Sequence, residues 1–442
     1  MEMGMDWRLA GAAEQGRAIA AGELDPVEQA EAYLEAAKDA ADIYARLTPE
    51  RARDEAMAAH QRAKQGRRRG SLDGVALSWK DLFDTAGVAT ESGSRLLHGR
   101  VPDADAEVLV QATLGGSVCL GKTHMTELAF SGLGINPMTS TPPNIRDPKL
   151  APGGSSSGAA LSVARGLAAA AVGSDTGGSV RIPSAWNDLV GLKTTHGRVT
   201  TKGVVPLCRS FDTIGPLARN VDDCAHVLAL IEGRAAPDLR ETSLAGTRLL
   251  VLEGLPFEGA REKPVQGFES AVDRLAKAGA VIERRGLPMV RPAMDLSGIL
   301  FAPEAYGEWK HVIEAAPEKM YPVILERFRT GRDVLASDYV AGWHALAEYR
   351  AQYLEATAEY DAVLVATAPI EPPDAQRLLT DKAYFESENL LALRNTRIGN
   401  ILGLCVLTLP TGVPSCGISL MAAPMQEDRL LRLGMAAERA LA

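Results

Sequence analysis

Four short apolar runs, GVALSWK, GGSVCLGK, GLAAAAVGSD and LVGLKTT, recur between Gly74 and Thr195, with glycine-bounded stretches between them. Runs that are apolar at nearly every position suit strands covered on both faces, and the intervening stretches have the small and apolar residues of packed helices. The alternation is that of βαβ units, which build a sheet with helices on either side. TRLLVLEGL, ESAVDRLAKAG and AVIERRGLP repeat it from Thr247 onward, and YDAVLVATAPIEPP, CVLTLPTG and CGISLMAAP supply further strands before a closing amphipathic helix. The expected fold class is therefore α/β: one large, mixed, mostly parallel sheet covered by helices on both faces. Residues 1–65 are read as N-terminal helices packed on the outside, with Asp25 as an N-cap and Pro26 at the first helical position. Residues 66–442 form the α/β domain, and a helical segment over about 295–358 shapes the substrate pocket.

Bulk properties bound the function. The 442 residues are 46% hydrophobic and carry a net charge of −9 from acids and bases scattered along the length. No basic stripe is available for a phosphate backbone, which excludes nucleic acid as a partner. The N-terminus starts with acids rather than a positive region followed by an apolar run, so no secretory signal is expected. The longest apolar stretch is too short to cross a bilayer, and no membrane contact is expected. The cysteines Cys119, Cys208, Cys224, Cys405 and Cys416 show no metal-ligand spacing and read as buried free thiols in a reducing cytoplasm. No metal or organic cofactor is expected, and a homodimer is the default oligomer for such a chain.

The stretch APGGSSSG, Ala151 to Gly158, places three serines before the helix-like AALSVARGL. Helix capping explains one hydroxyl but not three. A phosphate loop would need a lysine and a Ser or Thr after its last glycine, where Ala159 and Ala160 stand instead. Downstream, GSDTGGSVRIPSAWN reads as a strand end, a glycine turn and a new helix opening at Ser179. Consecutive N–H groups in such a turn converge on one point, as an oxyanion hole requires, and Gly177 and Gly178 let a substrate carbonyl approach the backbone. Ser179 at that point is a candidate nucleophile, provided something takes its proton. None of the seven histidines stands in a GxSxG elbow. A Ser-Lys arrangement is the other route, and Lys80 ends the apolar strand VALSWK. Burial there would lower its pKa and make it a base; the plainer reading is a solvated strand-end lysine paired with Asp81.

Together these segments resemble the amidase signature family: the strand lysine followed by DLFDTAG, the PGGSSSG loop, the GSDTGGSVRIP turn and VGLKTT. The likeness runs from the N-terminal helices through TELAFSGLG to EDRLLRLG. It departs from the family pattern at Thr194, at His124 and in STPPNI, residues 140–145, which bear on pocket shape. The resemblance implies a general base at Lys80, a cis-bonded bridging serine at Ser155, the nucleophile at Ser179, and oxyanion donors at Thr176, Gly177, Gly178 and Ser179. It also implies the activity: hydrolysis of a small-molecule carboxamide through a seryl acyl-enzyme. The same likeness leaves two alternatives, the glutaminase subunit of a tRNA-dependent amidotransferase and a hydrolase of a urea-like or carbamoyl substrate. Asp175 and Arg181 are expected to brace the turn. Arg394 and Arg397 in LRNTRIGN are candidates for a substrate carboxylate, with helix-face salt bridging as their plainer role.

Overall fold

The apolar runs fold as strands, and all of them join one sheet. The computed structural model describes residues 6–442; residues 1–5, the start of the stretch read as carrying no secretory signal, lie outside it. The eleven strands are β1 (Tyr44–Leu47), β2 (Ala76–Lys80), β3 (Val118–Thr123), β4 (Ala170–Asp175), β5 (Val190–Lys193), β6 (Thr213–Ala218), β7 (Arg248–Leu252), β8 (Val281–Arg285), β9 (Ala362–Ala366), β10 (Cys405–Pro410) and β11 (Gly417–Ala422). Their order across the sheet is β1-β3-β2-β4-β6-β5-β10-β11-β9-β7-β8. Strands β2, β3, β4, β5, β6, β9 and β11 are buried at every residue, which requires cover on both faces. Only the edge strand β8 is largely open to solvent.

The sheet is mixed as expected, but the balance of directions is not the one read from the sequence. Six of the ten strand pairings are antiparallel, and four are parallel. The physical reason lies in the links. Antiparallel neighbours need only a short connection, and β10 turns straight back into β11 across residues 411–416. Strand β6 escaped the sequence reading because TIGPLA holds a glycine and a proline, residues normally depleted from strands. Strand β1 escaped because YARL is four residues long and shows no alternation. It pairs with β3, so the segment expected to be purely helical also supplies an edge of the sheet.

Parallel pairing of β2 with β4 sets the carboxyl ends of both strands side by side, and these ends carry Lys80, Ser174 and Asp175. Crevices at strand carboxyl ends are where α/β sheets gather chemistry. The helix Ser157–Ala164 packs on β2, β4 and β6, while Arg181–Trp186 packs on β5, β10 and β11. Near the N-terminus, the Asp25 carboxylate accepts the Val27 N–H at 2.8 Å and caps the helix Pro26–Ala37. All five cysteines are buried and free, and among the described residues no helix is long and apolar enough to cross a membrane.

Candidate active site

Lys80 is fully buried at the end of β2. Its Nζ donates to Ser155 Oγ at 2.7 Å and to Ser174 Oγ at 2.8 Å. Its sequence neighbour Asp81 faces Lys122 and Arg46, each at 3.4 Å, so the solvated Lys80–Asp81 pair does not form. Burial pulls the Lys80 ammonium from its ordinary 10.5 to about 7, against the opposing pull of Asp175 and Asp212. An amine in that range exchanges its proton near neutral pH.

The Gly154–Ser155 peptide bond is cis. Only glycine fits at 154, because a Cβ there would stand 2.6 Å from the Gly134 backbone nitrogen. The Ser156 N–H donates to the Ser179 carbonyl at 3.2 Å, which fastens the serine loop to the glycine turn. No hydrogen bond joins the Ser155 and Ser179 hydroxyls among the described residues. Neither Ser156 nor Ser157 caps the following helix; their hydroxyls donate to the carbonyls of Ser174 and His124.

The turn after β4 is organised by one carboxylate. Asp175 accepts from the N–H groups of Gly178 and Val180 at 2.8 and 3.1 Å, from the Arg181 guanidinium at 2.8 and 3.0 Å, and from Asn400 Nδ2 at 2.9 Å. Burial alone would raise this carboxyl, but the Arg181 guanidinium beside it outweighs burial and holds it well below the usual range. The brace between Asp175 and Arg181 is thus fully buried. It corrects one expectation: the Gly178 N–H is engaged by Asp175 and is not free for an oxyanion. On the other side of the same peptide, Thr396 Oγ1 donates to the Gly177 carbonyl at 2.7 Å. The N–H groups of Thr176, Gly177 and Ser179 have no acceptor among the described residues. Gly178 itself has φ +139, and a Cβ there would meet Thr396 Oγ1 at 2.2 Å. The helix expected to open at Ser179 begins two residues later, at Arg181.

A model of the family described as Amidase matches residues 27–431. The chain belongs to the amidase family.

Membership makes it a hydrolase of carbon–nitrogen bonds. The amidase is 34% identical to a 2-amino-5-chloromuconic acid deaminase of Comamonas testosteroni, over 88% of this chain and 86% of that one. It is 33% identical to a glutamyl-tRNA(Gln) amidotransferase subunit from an Anaeromyxobacter strain, over 98% of this chain and 96% of that one. A crystal structure of an amidase superposes with TM-score 0.86 at 28% identity, covering 98% of this chain and 100% of that chain.

In this amidase a cavity of about 420 Å³ opens over Thr176, Gly177 and Ser179. Its other walls come from Phe130 and Ser131, from the helices Ser297–Ala315 and Pro322–Arg329, and from Lys382–Ile401. The two arginines singled out from LRNTRIGN part company. Arg397 lines the cavity. Arg394 does not: its guanidinium donates to the carbonyls of Pro256, at 2.8 Å, and Glu258, which corrects its candidacy as a substrate ligand. Sequence reasoning missed Ser174, although it stands inside the quoted GSDTGGS motif. It also missed Asp212, whose carboxylate accepts from Thr176 Oγ1 at 2.5 Å and from the N–H groups of Leu207 and Cys208 at 2.9 and 3.1 Å. Burial pushes Asp212 up to about 6. No local signal marks Asp212 or Arg327, which reach the site from distant segments; Thr396 and Asn400 stand inside the quoted LRNTRIGN, where only the arginines were singled out.

Proposed function

We propose that the enzyme hydrolyses a small-molecule carboxamide to a carboxylic acid plus ammonia or an amine, through an acyl-enzyme on Ser179. In this reading Ser179 Oγ attacks the carbonyl carbon and its proton passes to Ser155 Oγ. The Ser155 proton moves to neutral Lys80 Nζ. Negative charge on the former carbonyl oxygen meets the N–H groups of Thr176, Gly177 and Ser179. As the carbon–nitrogen bond breaks, the relay reverses and protonates the leaving nitrogen; water then attacks the ester by the same route. The observation that carries the reading is the buried Lys80 amine, pulled to about 7 and hydrogen-bonded to Ser155. In this reading the hydrogen bond between the hydroxyls of Ser155 and Ser179 forms around a bound substrate, as catalytic hydrogen bonds commonly tighten on binding. Five buried free thiols suit a reducing, cytoplasmic setting.

Ammonia release from a panel of aliphatic, aromatic, dicarboxylic and urea-like amides, with the Ser179→Ala protein as blank, tests the proposal. Turnover by the wild-type chain and none by the variant is the expected result. Likeness to amidotransferase subunits favours a second reading, in which glutamine is the amide and a partner uses the ammonia. Steady turnover of other amides by the isolated chain, with glutamine the poorer substrate, overturns that alternative.

A further inference from the structure

The cavity beside Ser179 holds hydrogen-bond donors that neither the relay nor the fold uses. Arg327 and Arg397 both line it. Among the described residues neither guanidinium forms an ion pair or donates a hydrogen bond, and Arg327 Nε is buried without an acceptor. A third donor, Nδ2 of the buried Asn389, lines the same cavity and is also unpartnered. Its Oδ1 is held by Ser131 Oγ at 3.0 Å and the Gly132 N–H at 2.9 Å, which fixes the amide so that Nδ2 is the end left over.

Other inward-facing arginines find acceptors. Arg181 meets Asp175 at 2.8 Å, Arg219 donates to the Val163 and Ala169 carbonyls at 2.7 and 2.8 Å, and Arg350 donates to the Ile401 carbonyl at 2.8 Å. Two carboxylates, Glu326 and Glu386, line the same cavity, but both are exposed, both lie against Lys382, and neither pairs with Arg327 or Arg397. Burial, with Arg397 beside it, pulls Arg327 down to about 9, and burial pulls Arg397 to about 10. Both remain charged at neutral pH. Two neighbouring guanidinium groups on a mostly apolar cavity, neither paired with a carboxylate, are unfavourable unless a ligand brings the missing partner. Arg327 lies over the Phe130 ring at 4.6 Å, which sets the plane of its fork.

We propose that Arg327, Arg397 and Asn389 Nδ2 form a receptor for a carboxylate on the substrate, so that the substrate is an amide acid: a carboxylate at one end, the scissile carboxamide at the other. This deepens the hydrolase reading and rests on it. The guanidinium fork matches a carboxylate in geometry, and the cavity that the arginines share with Ser179 is also lined by Phe301, Val323 and Leu393. The body joining the two ends is therefore hydrocarbon or aromatic.

The test compares adipamic acid and 4-carbamoylbenzoic acid with their uncharged counterparts, hexanamide and benzamide. Turnover is read as the ratio of kcat/KM for acid over neutral amide, and binding is read by calorimetry on the Ser179→Ala protein. The wild-type ratio is expected to be at least about 10, falling toward one in Arg327→Gln and Arg397→Gln, on the scale of a lost charged hydrogen bond. Arg→Lys at either position keeps the charge without the fork and should give an intermediate ratio. Neither Gln variant removes an ion pair, so the thermal melt of Arg397→Gln should stay at or above wild type and that of Arg327→Gln should fall by no more than the lost stacking on Phe130; a lower melt in Arg397→Gln shows that the guanidinium holds the fold together and argues against a receptor. A wild-type ratio near one, variants that slow both substrates equally, or no binding of either acid overturns the proposal. Tight binding of the acids with no turnover of any amide would instead remove the hydrolase reading and leave the carboxylate receptor standing.

Discussion

A lysine in water is protonated at neutral pH and cannot accept a proton; Lys80 differs because its surroundings are hydroxyls and apolar side chains rather than water. Desolvation disfavours the ammonium, and the two serine oxygens accept its hydrogen bonds without fully replacing hydration. Lys80→Ala is expected to lower kcat/KM by at least about 100-fold, the smaller end of what general acid–base help supplies. Ser179→Ala should remove turnover almost entirely, on the order of a million-fold. Retention of a tenth of the activity in initial-rate assays of Lys80→Ala would rule out the relay. The pH dependence follows from the same residue. The base must be neutral, so kcat/KM should rise with pH and level off above about 7, where Lys80 has released its proton. A flat profile from pH 5 to 9 would mean that Lys80 does not titrate in the mechanism.

Among the elements, the turn joining β4 to the helix Arg181–Trp186 is held from both sides. Asp175 takes the Gly178 N–H, and Thr396, from the helix Lys382–Ile401, takes the Gly177 carbonyl. The residues on either side of that peptide, Thr176, Gly177 and Ser179, line the cavity. Thr396→Val removes the second clamp while keeping the side chain's shape. The expected outcome is a fall in kcat approaching the roughly 100-fold typical of a lost oxyanion donor, with KM little changed. A change confined to KM would mean that Thr396 shapes the binding surface only. The turn motif was legible in the sequence because its glycines and Ser179 are contiguous. Its local brace, Asp175 with Arg181, was legible too; its distant supports were not, since Thr396 and Asn400 lie more than two hundred residues along the chain.

At the scale of the whole molecule, the helices between Val290 and Thr357 add no strand to the sheet and supply Phe301, Val323 and Arg327 to the cavity. They are tied to the sheet side by Glu127, whose buried carboxyl accepts from the Tyr321 N–H at 2.8 Å and from Ser94 Oγ at 2.7 Å. Burial raises Glu127 from 4.5 to about 7. Between these values the folded chain holds a proton that the unfolded chain has lost, so this residue's contribution to stability falls as pH rises from about 4.5 to 7. Glu127→Gln removes that dependence. Relative to wild type, the variant should gain on the order of 3 kcal/mol between pH 4.5 and 8, by the usual conversion of a pKa shift. Denaturant melts at both pH values check it, and parallel curves for the two proteins would show that Glu127 is ionised throughout.

What the sequence alone determined was local: strand cores in the apolar runs, the Asp25 cap, the glycine turn, and the lysine and two serines that resemble the family pattern. Each of these lies in a short contiguous motif where periodicity and backbone preference act directly; Lys80, Ser155 and Ser179 are 75 and 24 positions apart, and it is the likeness of their three motifs to the family pattern that joins them. Only the tertiary structure decided that antiparallel pairings outnumber parallel ones, that Gly178 serves the brace rather than the hole, and that Arg397 enters the cavity while Arg394 turns to the Pro256 carbonyl. The strand pairings and the arginine placements depend on which distant segments meet once the sheet has closed; the Gly178–Asp175 contact spans only three residues, but the backbone conformation that selects it is held by the buried Arg181 and by Thr396.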